Sequence, residues 1–101
     1  MALCAIDDLA SGTARRFDVS GHRIALVRID DAFYAVDDEC SHEDYSLSEG
    51  EVWAAECEIE CPRHGSMFDL RSGKSCSLPA TQPVAVYEVR LEDGTVAVVL
   101  P

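Results

Sequence analysis

The 101-residue chain is 48% hydrophobic and 27% charged, apolar enough for one compact core and too short for a second. Its 19 Asp and Glu against 8 Lys and Arg give a formal charge of −11, which repels phosphate backbones and anionic lipid and excludes nucleic acid as a partner. The first eight residues carry no cationic stretch and the longest apolar run, 96–100, is far short of a membrane span, so no signal peptide or membrane span is expected; five cysteines, an odd number without a paired framework, point to a reducing compartment and hence the cytoplasm.

In chain order, residues 7–12 are expected to form one short helical turn ending at Gly12. Apolar segments of strand length, alternating or continuous, follow at 13–19, 23–29, 33–36, 51–55, 58–61, 67–70, 84–91 and 95–100. Turn-forming residues separate them: Ser20-Gly21-His22, Asp30-Asp31, Ser48-Glu49-Gly50, Arg71-Ser72-Gly73-Lys74 and Glu92-Asp93-Gly94. Asp93-Gly94 is the strongest hairpin signal, because both residues tolerate the positive φ angles of a two-residue turn. No window sustains a 3.6-residue apolar period beyond about ten residues. The expected class is therefore all-β, a single domain over 1–101. The stretch 38–82 departs from its flanks, since it holds both Cys/His pairs with Pro62, Pro79 and the adjoining Pro83. It reads as a lobe inserted between strands of a β framework.

That lobe contains Cys40-Ser41-His42, then eighteen residues, then Cys61-Pro62-Arg63-His64-Gly65-Ser66. Two short loops each offer one thiolate and one imidazole, and a metal is held tightly when several such donors converge. Zinc sites favour two to four residues between the ligands of each half, whereas Cys40 and His42 enclose one. Mixed Cys and His in both loops suits a two-iron centre in which each loop gives a Cys to one iron and a His to the other. The spacing favours the iron reading, with a zinc-stabilised interaction domain as the alternative.

These motifs resemble those of Rieske ferredoxins, the bacterial kind that serve ring-hydroxylating and related non-haem iron oxygenases, and the similarity spans essentially the whole chain. Cys40-Ser41-His42 and the stretch from Cys61 to Lys74 are similar to the family's two cluster loops. The segments 46–50 and 78–81 also resemble oxygenase-ferredoxin-like proteins that accompany iron–sulfur assembly genes. The resemblance implies a Rieske-like antiparallel β sandwich or barrel with an inserted cluster-binding lobe. It implies one [2Fe–2S] cluster per chain on Cys40, His42, Cys61 and His64, with Ser66 as a hydroxyl donor to the cluster or a cap on its own turn. It further implies that single electrons pass from a flavoprotein reductase to an oxygenase; a role in cluster assembly or sensing is the second reading.

With two thiolates and two neutral imidazoles, such a centre is neutral when oxidised and carries one negative charge when reduced, which places it above four-cysteine clusters in potential. High-potential respiratory members of the family carry a disulfide where this chain has Tyr45 and Arg63, and a tyrosine where it has Phe68. Those departures align the chain with the disulfide-free branch and imply a midpoint below zero, roughly −150 mV.

The remaining candidates have plainer readings. Gly65 permits close backbone approach, Pro62 and Pro79 stiffen loops or wall off the cluster, and Phe68 is core. Cys57, Ile59 and Cys61 alternate along one strand face, which makes Cys57 buried filling. Cys4 and Cys76 are not ligands, Trp53 packs on the sheet, and Arg63 is a candidate docking residue. His22 is expected to be a solvated turn residue. It is also the one histidine outside the two motifs, too few for the two-histidine, one-carboxylate iron of an oxygenase, so the chain is not the catalytic subunit.

Overall fold

The computed structural model describes residues 1–41, 45–63, 65–76 and 82–100. Among these, strands run at β1 (Ala2–Ala5), β2 (Thr13–Val19), β3 (His22–Ile29), β4 (Ala32–Asp37), β5 (Val52–Trp53), β6 (Glu58–Glu60), β7 (Met67–Asp69), β8 (Val86–Glu92) and β9 (Thr95–Val99). Two single 3-10 turns, Ile6–Asp8 and Leu47–Glu49, complete the regular structure. The all-β expectation holds. The helical turn expected at 7–12 is instead a 3-10 turn that starts one residue earlier and gives way to extended backbone at Leu9. No helix among the described residues is long and apolar enough to cross a membrane.

Six strands form one antiparallel sheet in the order β1-β9-β8-β4-β3-β2, and β5-β6-β7 form a second. Hairpins at Ser20-Gly21 and Asp93-Gly94 join β2 to β3 and β8 to β9, with both central residues at positive φ, as their sequences predict. The strand β1, by contrast, carries no alternation in Ala-Leu-Cys-Ala; it forms because β9 offers it a partner, with the register slipping between Ala2 and Cys4. Val84 lies outside β8, although the apolar run begins there, because its N–H is committed to the Gly73 carbonyl at 2.8 Å.

Strand β3 shows how one apolar run serves two cores. Residues 24 to 27 are all fully buried, and because side chains alternate across a strand, Ile24 and Leu26 enter one cluster while Ala25 and Val27 enter the other. The first cluster joins Leu9, Phe33, Ala35, Tyr87, Val96 and Val98 to the pair from β3, with Leu3 of β1 and Phe17 of β2 packed against it. Side chains from both edge strands can reach one cluster only if the sheet coils on itself. Arg28 stitches that coil from within: its guanidinium donates to the Ile6, Leu9 and Asp30 carbonyls at 3.0, 2.9 and 2.7 Å and lies over the Phe33 ring.

The second cluster fastens the small sheet to the large one. Ile59 of β6 and Phe68 of β7 face each other across the strand pair, both fully buried, and meet Leu47, Leu70 and the Ala25, Val27 and Val36 side chains. The chain between β5 and β6 is a turn closed by the Cys57 N–H on the Ala54 carbonyl, which trims the strand expected over 51–55 to two residues. Cys57 therefore does not alternate with Ile59 along a strand. It stands at φ 57°, gives its carbonyl to the Leu70 N–H and packs half-buried against the cluster.

Candidate metal centre

Each Cys/His motif occupies a loop whose neck is tied by backbone hydrogen bonds, and each neck belongs to a different sheet. The first loop leaves the end of β4. There the Asp37 and Asp38 N–H groups donate to the Ala85 and Arg23 carbonyls, each at 2.9 Å, and Glu39 bridges to Ser46. The Cys40 N–H donates to the Tyr45 carbonyl at 2.9 Å, and the Leu47 N–H returns to the Asp38 carbonyl at 2.6 Å. The second loop joins β6 to β7 and closes through the Cys61 N–H on the Ser66 carbonyl at 2.8 Å and the Gly65 N–H on the Cys61 carbonyl at 3.0 Å. At the end of β7, the Asp69 carboxylate accepts the Arg71 and Ser72 N–H groups and the Arg71 guanidinium, which holds its carboxyl below the usual range.

Cys40 and Cys61 stand at these two necks. They are 3% and 1% exposed, unbonded to any other cysteine, and members of the same apolar cluster. Ser66, 1% exposed, closes the second loop against Cys61. His42 and His64 lie outside the described residues, as do Pro79 and the rest of 77–81. Among the described residues no group of three or more His, Cys, Asp or Glu gathers as a metal site. The donor chemistry of the two cysteines fits a thiolate-bound cluster. A pair of buried thiolates in apolar surroundings needs an adjacent cationic core to offset the cost of desolvation, and a [2Fe–2S] core supplies matching charge.

Two carboxylates that precede these cysteines in the chain have environments the sequence alone does not single out. Asp38, two residues before Cys40, is 1% exposed; its Oδ1 accepts the Ser48 N–H at 2.8 Å, while Oδ2 has no hydrogen bond and lies 3.9 Å from Arg16 Nε. Glu60, one residue before Cys61, receives the Trp53 indole N–H at 2.9 Å. Trp53 thus stands 42% exposed on the small sheet, its indole N–H fixed to Glu60 of the neighbouring strand. At the position where high-potential family members carry a tyrosine, this chain has Phe68, a fully buried core residue with no hydroxyl to donate.

His22 is likewise not a solvated turn residue. It opens β3, half-buried, with its ring edge-on to Tyr87 and Nδ1 3.3 Å from the Tyr87 hydroxyl, which donates to Asp37 Oδ1 at 2.6 Å. The trio sits beside an open cleft of about 460 Å³ that His22 and Asp37 line together with Arg23, Glu39, Cys40 and Ser41. Burial, reinforced by the hydrogen bond to Asp37 and its charge, pushes the Tyr87 phenol from the ordinary 10 up to about 12. A raised phenol pKa stabilises the fold below pH 10, and that contribution is lost as pH rises through about 12. Tyr87→Phe is accordingly expected to lower the unfolding midpoint at neutral pH and to flatten its decline between pH 10 and 12, as followed by circular dichroism; an unchanged alkaline profile would contradict the assignment.

The Rieske [2Fe-2S] domain family matches residues 1–88. The 3-phenylpropionate/cinnamic acid dioxygenase ferredoxin subunit of Escherichia coli (strain K12) is 41% identical over 98 residues, 97% of this chain and 91% of that one. The ferredoxin of carbazole 1,9a-dioxygenase from Nocardioides aromaticivorans IC177 superposes with a TM-score of 0.95 at 36% identity, over 97% of this chain and 94% of its own. A chain in the complex of reduced oxygenase and oxidized ferredoxin in carbazole 1,9a-dioxygenase superposes at 0.91 with 40% identity, over 98% of this chain and all of its own.

Proposed function

We propose that this protein, which belongs to the Rieske [2Fe–2S] domain family, carries single electrons from a flavoprotein reductase to a non-haem iron oxygenase of the ring-hydroxylating type. Its cofactor is one [2Fe–2S] cluster per chain, and the protein is an electron-transfer component of such a system. The observation that carries the reading is the burial of Cys40 and Cys61 in one apolar cluster at the necks of two loops that each contain a histidine.

Cys40, His42, Cys61 and His64 are the proposed ligands, and the Ser66 hydroxyl is the proposed donor to a cluster sulfur. When bound, the cluster supplies a site that accepts and gives up one electron. The protein's own contribution is to hold the loops in place through the neck hydrogen bonds and to keep water from the cysteines by burial. The proposed unit is the whole chain, 1–101, with its ligand-bearing lobe at about 38–82, and the proposed compartment is the cytoplasm, supported by the odd number of cysteines. The oxygenase partner is supported by the relatives named as dioxygenase ferredoxin subunits and by the carbazole dioxygenase complex. A reductase is what such a system needs to supply the electron. With 19 acidic residues against 8 basic ones, docking to a basic face is favoured, so reduction by a cognate reductase should slow as salt is added.

Electron paramagnetic resonance of the dithionite-reduced protein tests the reading. The expected result is the low-average-g signal of a histidine-ligated two-iron cluster, with a midpoint below zero in a film titration. A silent sample containing zinc and no labile sulfide would overturn it.

A further inference from the structure

The two loops are fastened to each other at the base, where Cys40 and Cys61 share one apolar cluster. They also meet at their exposed side. Tyr45 closes the first loop, giving its carbonyl to Cys40, and keeps its ring 40% exposed. Arg63 lies in the second loop, exposed, between Pro62 and His64. Its guanidinium carbon is 5.5 Å from the centroid of the Tyr45 ring, within the roughly 6 Å over which a cation is held by an aromatic face.

We infer that Tyr45 and Arg63 form a clasp across the two ligand loops and slow the loss of the bound cluster. The inference rests on the ligand set proposed above. If each loop supplies a thiolate to one iron and an imidazole to the other, both irons are held only while the loops stay together. The loops hang from different sheets, the first from β4 and the second from β6 and β7, so a motion of one sheet against the other separates the ligand pairs. The buried cluster resists that motion on one side of the loops. The Tyr45–Arg63 contact resists it at a second point, beside His64 in sequence, and two points of attachment prevent a hinge where one permits it. Both residues are positioning residues with no proposed contact to iron.

The contact is exposed, and a cation over a ring at such a site changes an opening equilibrium by about two- to five-fold. The experiment follows bleaching of the visible absorption of the oxidised protein under an iron chelator. Tyr45→Ala and Arg63→Ala are each expected to lose the cluster at least about two- to five-fold faster than the wild type, and the double variant about two- to five-fold slower than the product of the two single effects, because their shared contact is counted in both. Tyr45→Phe keeps the ring and is expected to keep the wild-type rate. Additive losses in the double variant, or a Tyr45→Phe that bleaches as fast as Tyr45→Ala, would overturn the clasp. His64→Ala separates this from the ligand assignment: a wild-type visible spectrum in that variant removes the ligand set, whatever the bleaching rates show.

Discussion

Cys61→Ser is expected to yield a protein with background iron and labile sulfide, no paramagnetic signal on reduction and no electron transfer. Three features of the site converge on that outcome. The side chain is 1% exposed, so a serine hydroxyl there meets apolar neighbours and no water. A hydroxyl is a far weaker ligand than a thiolate for iron at neutral pH, and the soft donor is what retains an iron–sulfur core. The main chain gives no compensation, because the Cys61 N–H and carbonyl are already engaged with Ser66 and Gly65 in closing the loop. Cys57→Ser and Cys76→Ser serve as the comparison, since Cys57 sits in the turn between β5 and β6 and Cys76 is exposed with its thiol directed at the Lys74 carbonyl. Both are expected to keep full cluster content by iron and sulfide assay. Retention of the cluster in Cys61→Ser, or its loss from Cys76→Ser, would require a different ligand set.

Gly50→Ala is expected to destabilise the protein more than Gly21→Ala, although Gly21 carries the backbone strain and Gly50 does not. The backbone at Gly50, φ −85° and ψ 175°, is open to every residue, so conformational strain is not the cause. Contact is the cause: a Cβ there would fall 1.6 Å from the Glu60 carbonyl oxygen, 2.9 Å from its carbon and 3.2 Å from the Leu47 oxygen. None of these is the end of a flexible side chain. Relief therefore requires the 3-10 turn at Leu47–Glu49 and β6 to separate, against the Glu60 N–H bond to the Glu51 carbonyl and the fully buried Leu47 and Ile59. Overpacking of this kind costs about 1–3 kcal/mol, and a domain of this size loses about 4–8 °C of melting midpoint per kcal/mol. Because Glu60 immediately precedes Cys61, cluster content should fall as well. Gly21→Ala is the control, since it stands at φ 81° with no heavy atom within 4 Å of its added methyl and pays for strain alone, about 1 kcal/mol. Calorimetry on the two variants, with iron assayed in parallel, checks the contrast. A Gly50→Ala protein that melts as high as Gly21→Ala would show that the seat at Glu60 is not rigid.

Most of the framework was legible in the chain itself because strands and hairpins are written in neighbouring residues. Alternation located β2 with the observed bounds, and Ser20-Gly21 and Asp93-Gly94 announced their turns through the φ angles they accept. The Cys40 and Cys61 loops were legible for a similar reason, since ligand type and short spacing are local properties. What the folded chain alone decided are pairings between distant residues, which no local period encodes. The strand β1 exists because β9 is beside it, and Val84 is withheld from β8 by Gly73. His22 left the solvent because β8 brings Tyr87 to it, 65 positions away, and Asp38 was marked out from nineteen acidic residues only by its burial beneath the first loop. Tyr45 and Arg63 likewise became a pair only when two sheets set their loops side by side. Residue type and spacing specify the local turns and mark the proposed donors; only chain closure, which sets distances between residues far apart in sequence, decides what each residue faces.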